Sequence, residues 1–168
     1  SDNQIININT GITPLIKASY HLKDNDIYLK ILNKTNDLNN KTEIFYYDGD
    51  RGNETALHWA SYKCDVEKLE ILYQYKNIDF KHKEAYDLKT FCGTLYNSCI
   101  EKNKIDIFIN FIKNKKDLIE NELNSKENEF FPEYLDFINK LNEKLKIEEN
   151  LNELNPHNNN KNNKNNKI

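Results

Sequence analysis

The chain has no methionine, one tryptophan, four glycines, three prolines and three cysteines among its 168 residues. Each scarcity excludes something. Four glycines leave little room for a phosphate-cradling loop, and no G-x-G-x-x-G, P-loop, G-x-S-x-G or H-E-x-x-H pattern occurs. Arg51 is the sole arginine, the usual residue for bidentate readout of guanine, and the net charge is −3 where a phosphate-gripping protein would normally be basic. Nucleic acid is therefore not an expected partner. Cys64, Cys92 and Cys99 are odd in number and show no C-x-x-C spacing, and even with His82 they match no zinc pattern. They read as buried free thiols in a reducing compartment, cytoplasmic or nuclear. No apolar run approaches the roughly 18 residues needed to span a bilayer. The most apolar stretch, Ile105 to Ile112, is broken by Asp106 and Asn110. No signal-peptide pattern opens the chain, and a start at Ser1 without methionine is what a fragment or a processed form would show.

Asparagine and lysine are abundant instead, at 29 and 23 residues. Such a bias follows from an AT-rich coding sequence, so a single Asn or Lys carries little weight. The informative feature is a repeat. Gly11-Ile12-Thr13-Pro14-Leu15-Ile16-Lys17-Ala18-Ser19 recurs as Gly52-Asn53-Glu54-Thr55-Ala56-Leu57-His58-Trp59-Ala60-Ser61. Each copy is followed by a matching helical run, Leu29-Lys30-Ile31-Leu32 and Leu69-Glu70-Ile71-Leu72. A helix pair cannot bury its own apolar face, so repeated pairs must stack. Thr13-Pro14 predicts a helix start, with threonine as N-cap and proline in the first turn. The spacing predicts helices to about Tyr20, then at 26–33, 56–62 and 65–75. A weaker third unit places Thr94-Leu95 opposite Ala56-Leu57, and Ile105, Phe108 and Phe111 opposite Val66, Leu69 and Leu72, with its second helix running towards Asn124. Leu135, Ile138, Leu141 and Leu145 form an apolar stripe, continued by Leu151 and Leu154, on a long helix over 132–154.

The pattern resembles the ankyrin repeat, over about residues 11–112 and best at 52–81. Thr55-Ala56-Leu57-His58-Trp59-Ala60 fits that family's first-helix motif with Ala56 in place of proline, and Asn77-Ile78-Asp79 is similar to its exit. The first unit has Ile16 where the family has histidine, and Cys64 stands where it has glycine. The resemblance implies an all-α fold: a short ankyrin-like stack of about three helix–turn–helix units closed by a C-terminal capping helix. The expected layout is an arm at 1–10, the stack at 11–127, the amphipathic helix at 128–154 and a disordered Asn/Lys-rich tail at 155–168. It also implies non-catalytic recognition of another protein through the concave face and finger loops, with no cofactor and no metal. The alternative is a substrate-targeting or regulatory domain of a larger multidomain enzyme.

The two units lie about 42 residues apart, longer than the family's period near 33. The extra length falls in the connection holding Ile44-Phe45-Tyr46-Tyr47-Asp48-Gly49-Asp50-Arg51, an aromatic run into Asp-Gly that predicts a hairpin. The expected partner-binding residues are Lys17, Tyr46, Tyr47, Asp48, Arg51 and Trp59. Tyrosines suit interfaces because a polar tip rides on a large apolar ring, although the same finger would also close on itself as a plain hairpin. Trp59 takes the variable position before Ala60, where an aromatic either packs on the next finger or anchors a partner. Lys17 and Asn97 are its expected counterparts in one row. His58, by contrast, is expected to satisfy local backbone groups at the helix start.

Overall fold

The computed structural model describes residues 11–43 and 52–155. Tyr46, Tyr47, Asp48 and Arg51, the N-terminal arm and nearly all of the tail lie outside the described residues. Among those described the fold is all-helical and no strand is present. In chain order the helices are α1 (Pro14–His21), α2 (Asn25–Asn33), α3 (Ala56–Ser61), α4 (Glu67–Tyr73), α5 (Phe91–Glu101), α6 (Ile105–Ile112), α7 (Lys116–Asn124) and α8 (Pro132–Leu154), with a 3-10 turn at Lys126–Phe130 before α8.

Threonine starts each first helix. Thr13 accepts from the Ile16 N–H at 3.2 Å, Thr55 shares a capping box with His58, and Thr90 accepts from the Gly93 N–H. Such a cap satisfies a donor that the helix leaves orphaned, and is worth about 1 kcal/mol. The third cap corrects the register expected for the third unit: its threonine is Thr90, not Thr94. Thr94 and not Asn97 is then the counterpart of Lys17 and Trp59, while Asn97 aligns with Tyr20 and Tyr62. α5 is also longer than α3, 11 residues against 6. That added turn is why the second helices of these units align at a wider spacing than their caps do. Gly11 and Gly52 both sit at positive φ, 66° and 108°, at the approach to a first helix. A Cβ on Gly11 would meet the Lys41 carbonyl oxygen at 2.7 Å.

α1, α3 and α5 pack side by side, and α2, α4 and α6 each pack on the preceding first helix. The core is built by Leu15 and Ile16, Ala56 and Leu57, and Phe91 and Leu95 from the first helices, with Leu32, Leu69, Leu72, Phe108, Phe111 and Ile112 from the second. Each fully buried large side chain contributes about 1.5–3 kcal/mol. The Leu29/Leu69 match does not carry over: Leu29 is 37% exposed, and Tyr28 turns inward instead, its hydroxyl 2.9 Å from the Ser19 hydroxyl. The third second-helix does not run on to Asn124 either. It stops at Ile112, and α7 starts afresh after Lys115.

α8 packs on α7 and on the 3-10 turn, and Tyr134 and Phe137 meet Tyr96 and Phe108. Ile138 is fully buried, but Leu151 and Leu154 are 55% and 76% exposed, so the apolar stripe outlasts the surface it covers.

The cysteines depart from expectation. Cys64 and Cys99 form a disulfide with Cα atoms 4.9 Å apart, leaving Cys92 as the buried free thiol. The expectation of three free thiols is overturned, and with it the ground for expecting a reducing compartment. The two cysteines are 35 residues apart, the same separation as Thr55 and Thr90, so the bond joins equivalent positions of neighbouring units. Closing a loop of that length restricts the unfolded chain by about 4 kcal/mol in the chain-entropy description. Cys99→Ser or reduction is expected to lower unfolding stability by an amount of that order, read from urea midpoints with and without a phosphine reductant. Alkylation of unfolded, unreduced protein should label one thiol. Labelling of three would overturn the pairing.

Candidate functional site

The connections between units are tied to one another before they reach any surface. Thr42 exchanges backbone hydrogen bonds with Asn53 and Glu54 at 3.0 and 2.9 Å, closing the base of the first finger. Residues 84–89 form the second finger, closed by the Glu84 N–H donating to the Lys89 carbonyl at 3.0 Å. The Glu84 carboxylate folds this turn from within, accepting from the backbone N–H groups of Tyr86, Asp87 and Lys89. The two fingers meet where the Ala85 N–H donates to the Gly52 carbonyl at 3.0 Å. The Asn53 amide reaches the Lys83 carbonyl, and the His82 ring nitrogen bonds the Asn53 carbonyl at 2.6 Å.

His58 locks this arrangement to the first helices. Its Nδ1 lies 3.3 Å from the Thr55 N–H and 3.1 Å from the Thr55 hydroxyl, and its Nε2 lies 3.0 Å from the Lys89 carbonyl. A backbone N–H can only donate and a carbonyl can only accept, so Nδ1 is the bare nitrogen and Nε2 carries the proton. The ring is 1% exposed, and burial lowers its pKa to about 4. Both ring nitrogens are committed to the backbone, which is a structural task. Cys92 is likewise withdrawn from nucleophilic chemistry, because burial pushes its thiol pKa well up.

Trp59 stands beside this lock, half-buried. Its indole N–H donates to the Glu54 carboxyl at 2.9 Å, and its ring meets Tyr20 edge-on at 6.2 Å. Tyr20 in turn meets Tyr62 at 6.3 Å and carries the Lys63 ammonium 4.2 Å above its face. The Trp59–Glu54 pair separates two depressions. One, of about 490 Å³, is lined by Ile12, Thr13, Pro14, Lys17, His21 and Trp59. The other, of about 460 Å³, lies between the second finger and α5 and includes Glu54, Tyr62, Tyr86, Asp87, Asn97 and Glu101. Of the expected site residues, the structure brings Lys17 and Trp59 together; the other four lie outside the described residues.

Sequence reasoning missed Tyr20, Tyr62, Glu54 and Glu101. A signal for the first two was present: Ser19-Tyr20 and Ser61-Tyr62 extend the repeated pattern by one residue. Glu54 and Glu101 had none, because only packing brings a residue before α3 and the last residue of α5 to one cavity.

Glu54 holds its proton unusually long: burial, outweighing the Trp59 hydrogen bond, raises its pKa to about 7. A second buried carboxyl, Glu122, sits at the cap of α5. It accepts from the Thr90 hydroxyl and the Asn128 amide, with Tyr134 packed beside it, and burial raises its pKa too. This network joins the cap of α5 to the base of α8. No group of three or more His, Cys, Asp or Glu side chains suited to a metal ion occurs among the described residues, and no described helix is long and apolar enough to cross a membrane. Comparison of the chain with protein families, curated proteins and solved structures finds no match.

The two perturbed groups predict opposing pH slopes. Between pH 6.5 and 4 the unfolded chain protonates His58 while the folded chain does not, so stability falls as pH falls through that window. Between pH 4.5 and 7 the unfolded chain ionises Glu54 while the folded chain does not, so stability falls as pH rises. Glu54→Gln is expected to gain on the parent by about 3 kcal/mol as pH rises across its window. The deficit of His58→Gln should shrink by about as much as pH falls through the other. Urea midpoints at stepped pH check both, and parallel profiles for parent and variants overturn the assignment.

Proposed function

We propose that the chain is a non-catalytic recognition module in which the helix pairs act as an ankyrin-like stack and bind a partner protein through the concave face and the finger loops. The observation that carries this reading is the row of half-exposed aromatics along the first helices, Tyr20, Trp59 and Tyr62, flanked by a depression on either side of the Trp59–Glu54 pair. Large rings of this kind present contact area at low entropic cost. The capped first helices and the hydrogen-bonded finger bases support it further. A surface held in place before binding avoids much of the ordering cost of association. Tyr46, Tyr47, Asp48 and Arg51, which the sequence marks as candidate partner contacts, lie outside the described residues and remain part of the proposal on that ground alone. His58 supports a recognition role over a catalytic one, since its ring is spent on the backbone. A soluble setting is part of the proposal, and the Cys64–Cys99 disulfide favours an oxidising compartment over the cytoplasmic or nuclear one expected from the sequence.

Affinity capture from a source-cell lysate with the intact chain tests this, run beside a Tyr46→Ala, Tyr47→Ala, Trp59→Ala bait that circular dichroism shows to be folded. A partner recovered by the first bait should bind the second more weakly by about 2–4 kcal/mol, the scale of hot-spot truncation. Equal affinity for the two baits would remove the concave face from the interface.

A further inference from the structure

The depression between the second finger and α5 has a composition that names its occupant. Its walls carry two aromatic rings, Tyr62 and Tyr86, and carboxyl groups from three separate places: Glu54 before α3, Asp87 on the finger and Glu101 at the end of α5. Lys89 is the single cation among the described lining residues, and it is engaged, its ammonium 2.7 Å from Asp87 and 4.6 Å above the Phe131 ring. Glu84 is spent on the three N–H groups of its own turn. Glu54 and Glu101 remain, and neither forms an ion pair with a described residue. The cavity, about 460 Å³, is large enough for a long side chain and the backbone beside it.

We propose that this groove seats an arginine or lysine side chain of an extended basic segment of the partner, its cation facing Glu54 and Glu101 and its hydrocarbon stem lying against Tyr62. This rests on the partner-binding reading above and names the chemistry of the partner. Three physical terms favour that occupant. A cation beside two carboxyl groups that form no ion pair with a described residue, at the margin of a low-dielectric wall, is attracted more strongly than in open water. The tyrosine face adds a cation–π contribution, and the methylene stem covers ring surface while the charge stays near the carboxyls. An arriving cation also supplies a counter-charge to Glu54, so seating it releases the Glu54 proton. The charged and titratable groups bearing on Glu54 are Glu84 and Asp87 with its paired Lys89 on the finger, Glu101 on α5, and His82 bonded to the adjacent Asn53 carbonyl. Binding should therefore strengthen as pH rises through about 7, the pKa of the Glu54 carboxyl.

The experiment is a titration of the isotope-labelled full chain with an Arg-Ser repeat octapeptide, using a Glu-Ser octapeptide as control, followed by amide and indole resonances. The Trp59 indole N–H reports on the groove because it is bonded to Glu54. The Arg-Ser probe should shift that resonance together with the Tyr62 and Glu101 amides, and should bind several-fold tighter at pH 8 than at pH 6. Glu54→Gln with Glu101→Gln, a neutral pair of near-equal size, should weaken it about tenfold. Glu148→Gln, on the exposed face of α8, should leave it unchanged. Equal loss from Glu148→Gln, an unchanged double variant, or equal binding of the Glu-Ser probe would each overturn the proposal. So would binding that emerges only after Arg51→Gln, which would assign the groove to the chain's own guanidinium. The same double variant used as a capture bait separates the two readings. A partner lost with Trp59→Ala but kept with Glu54→Gln/Glu101→Gln sinks the groove alone. A probe that binds the groove while the captured partner ignores Trp59→Ala sinks the concave-face reading instead.

Discussion

One imidazole holds the middle of this molecule in register. His58 accepts from the backbone at the start of its own helix and donates to the Lys89 carbonyl, the last carbonyl before the next unit's cap. It thereby fixes the height of α3 relative to α5 with two directional bonds in a dry setting, where each is stronger than in water and costly to leave unmade. Apolar packing between α1, α3 and α5 supplies the larger share of the free energy, but it is not directional. The Cys64–Cys99 disulfide and the Ser98 hydroxyl, which donates to the Ser61 carbonyl, hold the same two units at their other end.

The surface around Trp59 inherits its shape from that register. Trp59 follows His58 directly, so the lock that points the imidazole towards the fingers sends the indole the other way, against Tyr20 and onto Glu54. The result is a face with unlike halves: Lys17 and His21 on one side of the tryptophan, and carboxyl groups with tyrosines on the other. A half-buried Glu54 that forms no ion pair with a described residue is not a feature that stability alone would favour.

The far end of the fold is held by different means. Glu122 collects the Thr90 hydroxyl and the Asn128 amide around one buried carboxyl, while Lys83, just before the second finger, pairs with Glu127 in the 3-10 turn. Together they join the cap of α5 to the segment that launches α8. The aromatic group of Tyr96, Phe108, Tyr134 and Phe137 then closes the stack. α8 covers only as much surface as α7 and this cluster provide, and its last turns project beyond them.

Periodicity and cap chemistry by themselves determined a good deal: an all-helical chain, paired helices beginning at Thr13 and Thr55, a histidine with a structural task, and a helix from Pro132 to Leu154. These are local properties. A threonine before a helix and an apolar residue every third or fourth position act through neighbours in sequence, so they are visible in one dimension. The tertiary structure decided the rest. Thr90 was recognisable as a cap only once α5 proved a turn longer than α3, because an insertion inside a helix shifts everything after it. Tyr28 took the buried place that the repeat assigned to Leu29, since a hydroxyl partner on Ser19 made the larger ring affordable there. Cys64 and Cys99 became partners through the stacking of equivalent positions, and Glu54 and Glu101 came to share a cavity, because two units met face to face. Such pairings depend on where separate helices are placed in space, and a linear pattern holds no term for that distance.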